Sequence, residues 1–149
     1  MDAHQLEAYL HEHIPLSRAM QVAVARVAAD AVELRAPLAP NINHRETLFG
    51  GSASAIAILA AWSLVHVRLR AEGIASRIVI QRHSMHFDEP VAGDFIARSQ
   101  LEADADWQRF LATLGHMGRA AIAVAATIEH HGRRAARFSG RFAALGSEE

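Results

Sequence analysis

Cysteine is absent from the 149 residues, which excludes disulfides, thiolate metal sites and a cysteine nucleophile. An excess of charge of one sign is also lacking. The formal net charge is -1, so the global balance draws the chain neither to nucleic acid nor to an anionic membrane surface. The first residues, Met1-Asp2-Ala3-His4-Gln5, lack the basic, then apolar, then small-residue order of a signal peptide, and a cytoplasmic location is expected. The longest apolar run, Ala53 to Val67, is interrupted by Ser54, Ser63 and His66. It falls short of the ~20 residues a membrane span needs, so it reads as a buried core helix. There is no glycine-rich phosphate loop of the mononucleotide or dinucleotide type, no internal repeat and no low-complexity tract. Ten histidines invite a metal hypothesis, but their spacing opposes it. His83 and His86 stand three apart on a strand and point to opposite faces. His11 and His13 diverge around Glu12, His130 and His131 fall in a turn, and no His-Glu-x-x-His occurs. No metal is expected.

What is present suits one globular domain over 1–149: hydrophobic residues make up 51% and charged residues 21%, with enough length for a sizeable core. Asp2 to His13 is a helical segment with Leu6, Tyr9 and Leu10 on one face, stopped by Pro15. Met20 to Ala28 alternates as a strand, and Ala29-Asp30 turns the chain. Val32, Leu34, Ala36 and Leu38 form the dry face of a second strand that Pro37 and Pro40 end. Gly50 to about Ala71 is helix, apolar on nearly all sides, with Gly73 placed to stop it. Arg77 to Phe87 is a strand with Val79, Gln81, His83, Met85 and Phe87 on one face. A turn over Asp88 to Asp94 leads to a strand from Phe95 to Leu101. Asp104 to Leu114 is a short helical excursion with Trp107, Phe110, Leu111 and Leu114 at helical spacing. Arg119 to His130 and Arg134 to Leu145 make a last hairpin turning at His131-Gly132-Arg133. Strands that follow one another through short turns pair antiparallel. An α+β architecture follows, in which an antiparallel sheet of five or six strands wraps around one long central helix.

The segment Asn41-Ile42-Asn43-His44-Arg45-Glu46-Thr47-Leu48-Phe49-Gly50-Gly51-Ser52 leads into that helix. Glycines let a ligand approach the backbone. A helix start leaves N–H groups unpaired and favours negative charge, so Gly50 and Gly51 suit an oxyanion that develops on a carbonyl under attack. A tight, glycine-permitted turn into a core helix explains the same residues equally well.

The Asn-x-x-x-Thr-x-Phe-Gly-Gly run before the helix, with Phe87-Asp88-Glu89-Pro90-Val91-Ala92-Gly93-Asp94 closing a strand, resembles the hot-dog fold of acyl-CoA thioesterases. It is most similar to the thioesterase-like domain that follows an acetyltransferase domain in some bacterial proteins. The resemblance covers roughly Leu16 to Leu145. It implies an acyl thioester, on coenzyme A or acyl carrier protein, bound beside the helix start with no cofactor, usually at a dimer interface. By position, Gly50 or Gly51 offers an N–H to the thioester carbonyl, and Asn43 matches an asparagine that places the lytic water or the carbonyl. Asn41, Thr47, Phe49 and Phe87 border the same place. Ser52 and Ser54 are catalytic or substrate-binding candidates, or else caps and packing residues. One departure stands out. Many such enzymes carry an acid on the helix eight residues after the first glycine, where this chain has Ile58, and no carboxylate occurs from Gly50 to Arg70. A neutral asparagine cannot deprotonate water, so the usual general base is missing or comes from elsewhere. His83, His86, His44, Glu46 and Asp88 are candidates, and His83 is also a substrate-binding candidate. Arg133, Arg137 and Arg141 share a face, either as a solvated surface or in contact with coenzyme A phosphates. A thioester hydrolase is therefore expected, as a homodimer or dimer of dimers. An acyl-thioester-binding module without turnover is the alternative, and a structural dimer whose groove is filled by its own side chains is a third.

Overall fold

The computed structural model describes residues 1–146. Helix α1, Ala3–His13, is capped by a reciprocal pair: Asp2 accepts from the Gln5 amide and the Gln5 side chain accepts from the Asp2 amide. Leu6 and Leu10 are its buried face. Pro15 does not end the helical region. Ile14 breaks α1 with φ −127, and Pro15 opens a second helix, α2, Pro15–Ala19. A fixed proline φ and a missing N–H suit the first position of a helix. Met20 caps α2 and Gln21 turns the chain with φ 58, so β1 runs only from Ala23 to Val27, with β2 from Val32 to Ala36. A short 3₁₀ turn, Ala39–Asn41, follows.

Helix α3, Gly50–Ala71, is the longest element. By length and composition it resembles a membrane span, yet 67% of its most apolar window is buried inside the fold. Beyond it lie β3 (Arg77–Phe87), β4 (Phe95–Leu101), α4 (Trp107–Met117), β5 (Arg119–His130) and β6 (Arg133–Leu145). One six-stranded antiparallel sheet has the order β1-β2-β4-β5-β6-β3. It curls around α3, whose Ile56, Ala57, Ala60, Leu64 and Val65 meet Leu34, Phe95, Val124, Ile128 and Phe142 in one core. Ser99 of β4 ties sheet to helix, its hydroxyl donating to the Ala60 carbonyl at 2.7 Å.

Two expectations change. First, β3 and β4 do not pair across their short connection. The loop carries the chain from one sheet edge to the middle, and β3 pairs only with β6. Secondly, β3 does not keep one alternation. Ile80 faces Phe142 while Arg82 faces Arg141, so Gln81 is an extra residue and the strand bulges. The bulge flips the pattern: Ile78 and Ile80 share the helix side with His83, Met85 and Phe87, opposite Gly140, Phe138 and Ala136. Val79 and Gln81 face outward instead.

Candidate functional site

The start of α3 is an uncapped helix end. Phe49 is the N-cap and supplies no side-chain hydrogen bond. The first helical amide with a partner is that of Ala53, bonded to the Phe49 carbonyl at 3.0 Å. Three amides, those of Gly50, Gly51 and Ser52, precede it and are left for another acceptor. Both flanking rings are exposed, Phe49 by 55% and Phe87 by 58%. The glycines answer to them. A Cβ on Gly51 would sit 2.3 Å from the Phe49 ring, whereas one on Gly50 would sit 3.4 Å from Phe87. Gly51 lets the exposed Phe49 ring lie over the helix start, and Gly50 leaves the mouth of a cavity open.

That cavity holds about 370 Å³ and is lined by Gly50, Leu48, Ala53, Phe87, Ile128 and Ala136. Val91 and Ala135 close it further, and Asp88 and Glu89 stand at its lining. A bulge in β6 shapes it: Ile128 pairs with Ala136 but Glu129 with Arg134, so Ala135 is extra and buried beside Ala136. The Ala135 carbonyl accepts from the Asp88 and Glu89 amides at 2.8 and 3.1 Å. The Leu48 amide donates to the Val91 carbonyl at 2.8 Å. This last bond joins the two sequence segments that carry the resemblance.

The asparagines hold the approach to the helix. Asn43 closes its own loop: its Oδ1 accepts from the Arg45 and Thr47 amides at 2.8 and 3.1 Å, and its Nδ2 donates to the Thr47 hydroxyl at 3.0 Å. Such a self-bonded turn is typical of asparagine. Glu46 sits inside it with φ 61, and His44 and Glu46 are exposed. Asn41 is 2% exposed. Its Nδ2 donates to the Met20 and Pro37 carbonyls, while its Oδ1 is buried without a partner. Asn41 therefore pins the loop to the ends of α2 and β2. Ser52 and Ser54 are half-buried in the first turns of α3.

The structure gathers Phe49, Gly50, Gly51, Ser52 and Phe87, and sets Asn43, Thr47 and Asn41 in the loop behind them. It does not bring His83 there. His83 lies four residues along β3 from Phe87, about 13 Å, with its ring stacked on Phe138 at 5.6 Å. His86 is on the outer face opposite Arg137. Trp107 is far away: Arg68, near the other end of α3, lies over its ring at 4.4 Å. Trp62 donates to the Ile78 carbonyl at 2.9 Å and stacks on His66, so it serves the core.

The carboxylates near the cavity differ. Arg137 grips both oxygens of Asp88, at 3.0 and 3.2 Å. That hydrogen bonding holds the Asp88 carboxyl below its ordinary range. Glu89 meets Arg133 through Oε2 alone, at 2.8 Å. Glu89 and the apolar wall were not legible as site residues. The Asp-Glu-Pro-Val turn is their signal, because it fixes where β3 ends against the hairpin.

Solved structures similar to this chain share this frame. A protein of unknown function from Chlorobaculum tepidum superposes with a TM-score of 0.89 at 28% identity, covering 97% of this chain and 94% of that one. A Shewanella oneidensis protein described as a "putative thioesterase" gives 0.87 at 25% identity, covering 96% of each. A Haemophilus influenzae thioesterase, 11% identical over 100% of this chain and 94% of that one, shares the fold with a TM-score of 0.79. The model of the family described as "Putative thioesterase (yiiD_Cterm)" matches residues 3–146. The helix wrapped in a six-stranded sheet is the hot-dog fold, and the chain belongs to this thioesterase family.

Proposed function

We propose that the protein hydrolyses an acyl thioester, carried by coenzyme A or acyl carrier protein, at the start of α3. The observation that carries this reading is the uncapped helix end beside an apolar cavity. The thioester carbonyl oxygen takes the Gly50 or Gly51 amide, and the acyl group enters between Ala53, Ile128 and Ala136. Water attacks the carbonyl carbon, and charge developing on the oxygen is met by the amides and the helix dipole. The C–S bond breaks and the thiol leaves with a proton. Asn43 and Thr47 keep the loop in register, and Ser52 and Ser54 border the reacting group. Glu89 is the proton acceptor in this reading, because its Oε1 has no hydrogen-bond partner among the described residues while Arg137 occupies both oxygens of Asp88. His83 is too far along β3 for that part. No cofactor is needed. A second copy covering the exposed Ile42, Phe49 and Phe87 makes the working unit a homodimer or dimer of dimers. A cytoplasmic setting belongs to the same reading, with α3 spent as the core of the fold.

A second reading has its own support. Ile58 stands where an acid is expected, and the Asn43 side chain is committed to its loop. Both suit an acyl-thioester-binding module without turnover.

Purified protein incubated with short, medium and aromatic acyl-CoAs, with free thiol followed, separates the two. Hydrolysis that falls by about 10²-fold in Glu89→Gln supports the enzyme. Thermal stabilisation by the same thioesters without thiol release supports the module.

A further inference from the structure

On the outer face of the sheet, opposite charges meet across strands. Glu33 lies between Arg26 and Arg98 in adjacent strands, with Arg98 at 2.8 Å and Arg26 at 3.7 Å. Arg133 meets Glu89 and Arg137 meets Asp88. One row breaks this pattern. Arg141 of β6 lies directly opposite Arg82 of β3. Like charges in that position repel. Among the described residues neither has a carboxylate partner, and Arg141 is bonded only to the neutral Gln81 at 3.2 Å.

The pair is not on a flat surface. Arg82 and Arg141 border a hollow of about 340 Å³ with Ser84, Ser139 and Ala123. Ala123, opposite Arg141 on β5, leaves room below the guanidinium groups. Ser139 donates to Glu102 at 2.6 Å, so its proton is committed and contact with an anion in the hollow falls to the two guanidinium groups. All 15 Lys+Arg positions of the chain are arginine. Two planar forks over a small-residue floor suit the oxygens of a phosphate better than a single carboxylate.

We propose that Arg82 and Arg141 form the binding site for the nucleotide phosphates of coenzyme A, which selects coenzyme A as the carrier of the acyl group. The proposal rests on the thioester reading for its choice of phosphate ligand. Its geometry is consistent with that reading. Arg82 lies five residues from Phe87 along β3, about 16 Å, and β3 is an edge strand. The pantetheine arm separates the thioester from the phosphates and crosses that edge. Of the three arginines expected to share a face, Arg133 and Arg137 are neutralised by acids, which leaves Arg141 and adds Arg82.

The test is calorimetric titration of the full chain with adenosine 3′,5′-bisphosphate, which needs no turnover. Saturable binding is expected, weakened about tenfold in Arg82→Gln and in Arg141→Gln and unchanged in Arg18→Gln. Without ligand, at low salt, Arg82→Gln is expected to melt no lower than the parent, since it removes a repulsion. No binding, or binding indifferent to both substitutions, overturns the proposal. Equal binding of 4′-phosphopantetheine with the same dependence on both arginines also overturns it, and assigns the site to a carrier-protein arm. Nucleotide binding without thiol release from acyl-CoA leaves this site standing and removes the hydrolase reading instead.

Discussion

The Leu48 amide donates to the Val91 carbonyl at 2.8 Å, and through it the helix approach and the loop after β3 form one wall of the cavity. Leu48 also bridges to Ile42, so the segment is strapped on both sides. Replacing Leu48 with proline removes the donor. A peripheral hydrogen bond contributes about 1 kcal/mol, equivalent to a melting shift of roughly 2–4 °C at this chain length. The expected outcome is a small loss in a thermal scan with a much larger loss of thiol release. A collapse of the whole fold would show that the strap is a core element.

The two glycines are expected to behave differently. In Gly50→Ala the new methyl makes ordinary contact with Phe87, and alanine favours helix over glycine by about 1 kcal/mol. That variant is expected to melt higher and bind acyl thioester less well, because the methyl enters the cavity mouth. In Gly51→Ala the methyl displaces the Phe49 ring. Since that ring is exposed, stability is expected to stay within about 1 kcal/mol of the parent, and a change in Phe49 side-chain signals by NMR reports the displacement.

For Asn43, an acid substitute separates bracing from chemistry. Asn43→Asp keeps the acceptor that holds the Arg45 and Thr47 amides and loses the donor to Thr47. Asn43→Ala loses both, and is expected to cost about 1–2 kcal/mol. If Asn43 only braces the loop, the aspartate variant retains most of the melting temperature and most of the turnover. Retained stability with abolished turnover would give the amide a direct part in the reaction.

A pH dependence follows from His66. It lies 5% exposed on α3, stacked on Trp62 at 4.6 Å and against Tyr9 at 4.7 Å, with its Nε2 accepting from Arg70 at 3.1 Å. Burial first, then the Arg70 charge, lowers its pKa from 6.5 to about 4. Above pH 6.5 both the folded and unfolded forms are neutral there, and its contribution is fully present. As pH falls from 6.5 towards 4 the unfolded chain takes a proton that the folded chain refuses, so stability falls. The melting temperature is expected to drop across that window, and the drop to shrink in His66→Phe. An unchanged slope in that variant would place the acid sensitivity elsewhere.

The elements that were legible are those whose patterns are local. An apolar run with Gly50 before it and Gly73 after it marks α3. Arg77 to Phe87 and Phe95 to Leu101 match their strands because turn residues bound them. What escaped depends on partners distant in sequence. The pairing of β3 with β6 rather than β4 is set by how the sheet closes around α3. Pro15 reads as a stop because a helix start needs the same residue. Of the candidate site, the glycines and Phe49 were legible from their place at the helix start, and Phe87 from the turn that closes β3. Asn43 was legible as a residue of that loop, but its four-residue reach to Thr47 is a matter of conformation. Glu89 acquires a place only when β6 comes alongside.

The bulge at Gln81 sets the orientation of everything after it in β3. Phe87 stands seven residues after Ile80, and in a regular strand an odd spacing puts two side chains on opposite faces; the extra residue brings both to the helix side. Deletion of Gln81 would seat Arg82 next to Ile80 in regular alternation, with Phe87 still turned inward. Flattening the bulge with all its residues retained would instead turn Phe87 to solvent and His86 to the cavity. The wall of the site therefore depends on a local irregularity of the backbone that the side-chain alternation along β3 does not specify.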